Sequence, residues 1–293
     1  MICAATARFR FRVSSLAFFA LTCAVPAHAQ WVSFPHGTVQ LLTETNSIAP
    51  GRGFSLGLDF RLESGWHIYW VNPGDSGDPP RVQWKLPAGI TAEAMQWPVP
   101  HRLGSSSVAD YGYTGDVLLI APMRASANLP LQSPAKIGAQ VKLLVCRELC
   151  VPGKAEVSVA LPVSSGIPAP SSSRALFSAA RRSLPQPTPK NWRLTVKEQK
   201  NTFVLAAHTG FHVAHAQFFP LGDDQIEDSA PQNLASLAEG FQLELRKSGR
   251  LVNSISRLKG VLVLPSGRAY QIDVPVRRAA PGTPGDGLGR SAN

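Results

Sequence analysis

The sequence predicts an all-β protein built as two β-sandwich domains joined by a Pro/Ser-rich linker. Apolar and polar residues alternate over short runs, and 24 glycines and 25 prolines supply turns between them. No 3.6-residue period is sustained, so helices contribute little. Phe54 to Leu62 sets Phe54, Leu56, Leu58 and Phe60 on one face against Ser55, Gly57, Asp59 and Arg61 on the other. Trp66 to Val71 is a second strand, closed by the turn residues Asn72-Pro73-Gly74. Val82 to Leu86, Val117 to Met123 and Ile137 to Cys146 follow, and Ala155, Val157, Val159 and Leu161 alternate in the next strand. The aromatic residues Trp66, Tyr69, Trp70, Trp84 and Trp97 are core by default.

Between Ser164 and Lys190 the alternation stops. Five prolines and a serine cluster mark a linker, with one helical turn near Arg174 to Arg182. Strand patterning then resumes at Trp192 to Lys197, Thr202 to Ala207, Val213 to Phe219, Phe241 to Leu245, Gly260 to Leu264 and Ala269 to Val274. Leu234 to Leu237 reads as a short helix or loop. Ile272-Asp273-Val274-Pro275-Val276 echoes Val159-Ala160-Leu161-Pro162-Val163, a sign of two related halves. The domain reading is therefore 30–165, a linker over 166–189, a second sandwich over 190–280 and a disordered tail over 281–293.

Residues 1–29 have the form of a secretory signal. Arg8, Arg10 and Arg12 precede the apolar stretch Val13 to Val25, and Ala27-His28-Ala29 fits a cleavage site. Thr22 before Cys23 departs from a lipoprotein box. The rest of the chain has no apolar run of the ~18 residues that a span needs. An exported protein without stable membrane insertion, in the periplasm of a Gram-negative bacterium, is expected. The net charge of +10 suggests nucleic acid only until it is divided. Residues 30–165 carry ten Lys/Arg and ten Asp/Glu, and the surplus lies scattered through the second half without an aromatic stripe, which excludes a nucleic-acid surface.

Cleavage after Ala29 removes Cys3 and Cys23 and leaves Cys146 and Cys150. Along a straight strand four residues span roughly 13 Å, beyond the ~7 Å limit for a disulfide, so the pair closes only across a helical turn or tight loop. Such a loop stabilises by roughly 2 kcal/mol, against roughly 4.7 for a 100-residue loop. Three readings stay open: a structural bond, a redox pair and a metal site. Metal is disfavoured, because the pair supplies two ligands and His67 and His101 lie far off in sequence. His212 and His215, three apart in an expected strand, point to opposite faces and read as surface residues. No Ser-His-Asp set, phosphate loop or dinucleotide fingerprint occurs. Neither a cofactor nor a resident metal is expected.

Gly65-Trp66-His67-Ile68-Tyr69-Trp70-Val71-Asn72-Pro73-Gly74-Asp75-Ser76-Gly77, then Asp110-Tyr111-Gly112-Tyr113-Thr114-Gly115, then Val145 to Gly153, resemble the N-terminal periplasmic domain of the DsbD/ScsB thiol:disulfide interchange proteins. The second half resembles the additional sandwich of the ScsB-like branch. The resemblance implies immunoglobulin-like sandwiches and a redox pair at Cys146 and Cys150, with Cys150 forming mixed disulfides. It also implies that Tyr69 faces the pair from a neighbouring strand and that Asp110 to Tyr113 form a cap loop, with Tyr111 or Tyr113 as the shielding ring. The partners it implies are a thioredoxin-like or membrane-embedded thiol reductant and periplasmic disulfide proteins as clients. The spacing between the cysteines is shorter here than in the best-known members. The membrane and thioredoxin-like domains of full-length members do not follow, so a separate reductant is expected. If active, the protein is a thiol:disulfide oxidoreductase. The rival reading is a non-catalytic binding or copper-related adaptor with a static disulfide. Residues 30–165 are expected to fold and exchange electrons alone.

Overall fold

The computed structural model describes residues 30–104, 107–131 and 133–278. The expected signal at 1–29 and the expected disordered tail at 281–293 lie outside them. Two immunoglobulin-like β-sandwiches make up the described residues. In the first, a five-stranded sheet runs in the order Val32–Phe34, Gly37–Thr43, Gly53–Leu62, Asp116–Ala125, Ile90–Ala92. The facing sheet runs Cys150–Leu161, Ala135–Cys146, His67–Gly74, Ala109–Thr114, His101–Gly104, with Arg81–Lys85 also on Ala135–Cys146. The alternation of Phe54, Leu56, Leu58 and Phe60 is realised as core, packed with Ile137, Val141 and Val145 of the opposite sheet. Among the described residues no helix is long and apolar enough to cross a membrane.

The helix near Arg174 is longer than one turn. It spans Arg174–Arg182 and buries Phe177 and Ala180 on Leu42, Leu118 and Ile120 of the five-stranded sheet. Gly57 makes room for it, since a Cβ there would meet the Phe177 ring at 3.0 Å. Arg181 forks onto Glu44 through contacts of 2.5 and 2.6 Å, and that pairing holds the Glu44 carboxyl below its usual range. The proline-rich segment is thus docked on the first sandwich over this stretch.

In the second sandwich one curled sheet runs Gln217–Pro220, Arg257–Val263, Ala269–Arg278, Arg193–Glu198, Thr202–His208, Gly240–Arg246, Asn233–Leu237. It closes over Val196, Phe203, Leu205, Phe218, Phe241, Leu243, Leu258 and Ile272. The segment read as a short helix or loop at Leu234 to Leu237 is a strand, paired with Gly240–Arg246 across a tight turn. Four residues are too few to reveal a period, and the pairing decides. The strand expected from Val213 begins only at Gln217, and His212 and His215 are exposed ahead of it. Phe219, Val261 and Ala269 of this sandwich join the hydrophobic cluster of the first.

Candidate functional site

Ala135–Cys146 and Cys150–Leu161 form one antiparallel hairpin, in unbroken register from Ala135 opposite Leu161 to Cys146 opposite Cys150. The cysteines are its last rung, and Arg147 to Leu149 make the turn. Their Cα atoms lie 4.1 Å apart and the sulfurs are bonded. The sharp turn that the spacing demands is therefore a hairpin tip, as two cross-strand partners lie far closer than residues four apart along one strand. Burial separates the two sulfurs' residues. Cys146 is 2% exposed, whereas Cys150 is open to solvent. Beside it Leu149 is 77% exposed. Arg147 lies back with its guanidinium 5.2 Å from the Trp66 ring centre.

The neighbouring strand supplies the surroundings. Cys146 pairs with His67 and Val145 with Ile68, so Cys146, His67 and Tyr69 share the face opposite Val145 and Ile68. The Tyr69 hydroxyl donates to Cys150 Sγ at 3.4 Å, and burial raises its pKa, which keeps the proton on the oxygen. The His67 ring stands edge-on to Tyr69 with centroids 5.1 Å apart. Burial lowers the His67 pKa, and its Nε2 is buried without a hydrogen-bond partner among the described residues.

Asp110 lies on the same face as Tyr69, because Gly112 pairs with Tyr69 two residues on. Its carboxylate accepts the Ser76 N–H at 3.0 Å and the Ser76 hydroxyl at 2.9 Å. Burial raises the Asp110 pKa, and the bonds from Ser76 oppose the rise. Those bonds anchor the loop after Gly74, which runs over the Tyr69 ring. Gly77, at φ +81°, sits so close that a Cβ would fall 2.1 Å from Tyr69 Cζ, so only glycine fits there. Among the described residues no group of three or more His, Cys, Asp or Glu could hold a metal ion.

Tyr111 and Tyr113 lie on the other face of this sheet, with Ile68, which pairs with Tyr113. Tyr111 is 1% exposed and donates to Asp228 Oδ1 of the second sandwich at 3.0 Å. The Tyr113 hydroxyl donates to the Pro98 carbonyl at 2.7 Å.

Residues 38–162 match the profile of the family described as thiol:disulfide interchange protein DsbD, N-terminal. That match lies within the first sandwich. The crystal structure of the N-terminal periplasmic domain of ScsB from Proteus mirabilis is similar over both sandwiches, with a TM-score of 0.68 and 14% identity. That similarity covers 87% of this chain and 100% of the other, and it shows a shared fold. The periplasmic chaperone SfaE, at a TM-score of 0.22 and 7% identity over 82% of this chain and 100% of its own, adds nothing to the site. No curated protein sequence matches the chain.

In the first sandwich the structure brings together Cys146, Cys150, Tyr69 and Asp110, and it separates Tyr111 and Tyr113 from them. The expectation that Asp110 to Tyr113 form a cap loop does not fit: they belong to the strand Ala109–Thr114. Alternation along that strand sends Asp110 toward Tyr69 and the two rings away. The segment lying over Tyr69 is instead Asp75 to Gly77. Sequence reasoning did not single out Ser76, Gly77 or the pairing of His67 with Cys146. The signal available was Gly77 itself, a glycine closing an aromatic-rich motif.

Proposed function

We propose that this protein is a periplasmic thiol–disulfide interchange module, exported by the segment 1–29. Its Cys146/Cys150 pair would pass two electrons from a thioredoxin-like or membrane-embedded thiol reductant to disulfide-bonded client proteins. The observation that carries this reading is the asymmetry of the pair: an exposed Cys150 under the Tyr69 hydroxyl, bonded to a buried Cys146. A structural bond gains nothing from presenting one sulfur, whereas exchange requires access to the sulfur attacked.

The cycle balances as follows. A reductant thiolate attacks Cys150 Sγ, and Cys146 leaves as a thiolate and takes up a proton. The reductant's second thiolate attacks its own sulfur in the mixed disulfide and releases Cys150, so the reductant departs as a disulfide. The Cys150 thiolate then attacks a client disulfide and expels one client thiolate. Cys146 gives up its proton and attacks Cys150. The client's second sulfur leaves and is protonated, and the Cys146–Cys150 bond is restored. Tyr69, a neutral donor, would stabilise the Cys150 thiolate by a charge-assisted hydrogen bond.

The test is covalent trapping. Cys146→Ser keeps the attacking thiol and removes the resolving one, so it should accumulate mixed disulfides with a thioredoxin-like protein on non-reducing gels. Cys150→Ser should accumulate almost none. Equal trapping by both variants, or by neither, would sink the assignment of roles.

A further inference from the structure

The second sandwich contains no cysteine, yet it contacts the strand that carries His67 and Tyr69 and the strand beside it. That strand, His67–Gly74, pairs regularly with Ala109–Thr114 as far as Tyr69 opposite Gly112. The next pair is Gly74 opposite Asp110, so Trp70 to Pro73 bulge out against the single residue Tyr111. Trp70 packs in the first core, and the bulge is also held from the second sandwich. Phe219 stands edge-on to Tyr111 at 5.1 Å and to Trp70 at 6.3 Å. Asn72 Nδ2 donates to the Pro220 carbonyl at 2.9 Å and to the Gly222 carbonyl at 3.3 Å. Tyr111 donates to Asp228, which is 3% exposed.

The bulge leads directly into the loop over Tyr69. Asn72 Oδ1 accepts the Gly74 N–H at 2.9 Å, and Gly74 turns the chain at φ +88°. Asp75 then accepts the Ala109 N–H at 2.8 Å. Arg250 of the second sandwich lies 3.9 Å from Asp75 and 2.7 Å from Asp224. Ser76 is tied to Asp110, and Gly77 rests on the Tyr69 ring. One side chain, Asn72, thus bonds both the second sandwich and the start of this loop.

We propose that the second sandwich is a brace that fixes the Trp70–Pro73 bulge, and so holds the Asp75–Gly77 loop against the Tyr69 ring and the Tyr69 hydroxyl on Cys150 Sγ, where it stands in the way of a thiolate attacking that sulfur of an otherwise exposed residue. Phe219, Asn72 and Arg250 are positioning residues in this account. Without the brace Asn72 loses its partners Pro220 and Gly222 and Asp75 loses Arg250, so the loop that starts at Gly74 is held from the first sandwich alone. The biological use of such a brace rests on the redox reading, but the effect on access does not. It is therefore read with a small reagent.

The experiment uses the full-length oxidised protein and dithiothreitol in excess. Its thiolate attacks Cys150, expels Cys146 and cyclises to release the reduced pair. Asn72→Ala should raise the rate of disulfide reduction about fivefold or more, and should speed hydrogen exchange at the Ser76 amide, which Asp110 protects. Leu205→Ala, a cavity in the second core away from the bulge, should lower the melting temperature and leave the reduction rate unchanged. If Asn72→Ala does not fold, the exposed Arg250→Ala carries the same test with an expected rise of about twofold. An unchanged rate in the folded Asn72 or Arg250 variant overturns the proposal. So does an equal acceleration by Leu205→Ala, which would reduce the effect to general loosening. Failure of covalent trapping with a protein partner, alongside a faster reaction with dithiothreitol in Asn72→Ala, would remove the relay and leave the brace.

Discussion

The two sandwiches are built by the same rule and differ in what they do with its exceptions. In both, period-2 alternation sends large apolar side chains inward, Phe54, Leu56, Leu58 and Phe60 in one and Phe203, Leu205, Phe241 and Leu243 in the other. In the second the strand pairs that flank Thr202–His208 run in register to their ends. In the first the strand next to the disulfide breaks its register after Tyr69, and the break is where the second sandwich attaches. Regular strands make the cores, and the irregular stretch beside the disulfide is where the two sandwiches meet. That comparison can be broken or sharpened at single residues.

The largest effect is expected at Gly77. Gly77→Ala places a methyl group where the Tyr69 ring stands, at a backbone angle that costs an alanine roughly 1–2 kcal/mol. Tyr69 must move, and reduction by dithiothreitol should quicken about tenfold. The matching change at Gly267, also at positive φ but with nothing within 4 Å of the added carbon, should cost strain alone and leave the rate unchanged. Equal rates in the two variants would deny the loop its role.

Tyr69→Phe comes next. It removes the donor to Cys150 Sγ and keeps the ring. In a Cys146→Ser background the Cys150 thiol pKa should rise by about one unit, as loss of one charge-assisted bond is worth roughly 1.5–3 kcal/mol before solvent replaces it. Thiolate absorbance against pH reads this directly, and an unshifted titration would remove the hydroxyl from the mechanism.

How far these residues could be read in the sequence depends on how local their cause is. The alternation at Phe54 to Leu62, the tight closure between Cys146 and Cys150 and the facing Tyr69 were all legible, because each rests on a short motif. Ala109–Thr114 was not read as a strand, because Asp110 and Gly112 look like turn residues until a partner strand pairs with them. With that strand missed, the face on which Tyr111 lies could not be assigned. Phe177 sits in proline-rich surroundings, and its burial depends on Gly57, 120 positions earlier. The Tyr111–Asp228 bond joins residues 117 apart and has no local signature. The expectation that residues 30–165 act alone came from that same local view, which holds nothing of the contacts at Trp70, Asn72 and Tyr111.

The smallest effect concerns pH at the junction. Burial chiefly pushes the Asp228 carboxyl up to about 6, against an ordinary 3.8. A carboxyl raised on folding binds its proton more tightly in the folded state. Its ionisation therefore opposes folding as pH climbs from about 4 to about 6, and the penalty is complete above that. Lowering the pH from 7.5 toward 5 should accordingly raise the melting temperature through this group. Asp228→Asn should flatten that part of the profile, and an identical slope in both proteins would mean that Asp228 is not strained by burial.

The central claim, that the bond between Cys146 and Cys150 is made to be broken, is tested most directly by its reduction potential. Equilibration of the full-length protein in glutathione buffers of graded ratio, with the free thiols counted by alkylation and mass, gives the value. A relay must lie within reach of thioredoxin-like donors and disulfide clients, between roughly −270 and −180 mV. A potential below roughly −300 mV would mark a structural bond and contradict the account.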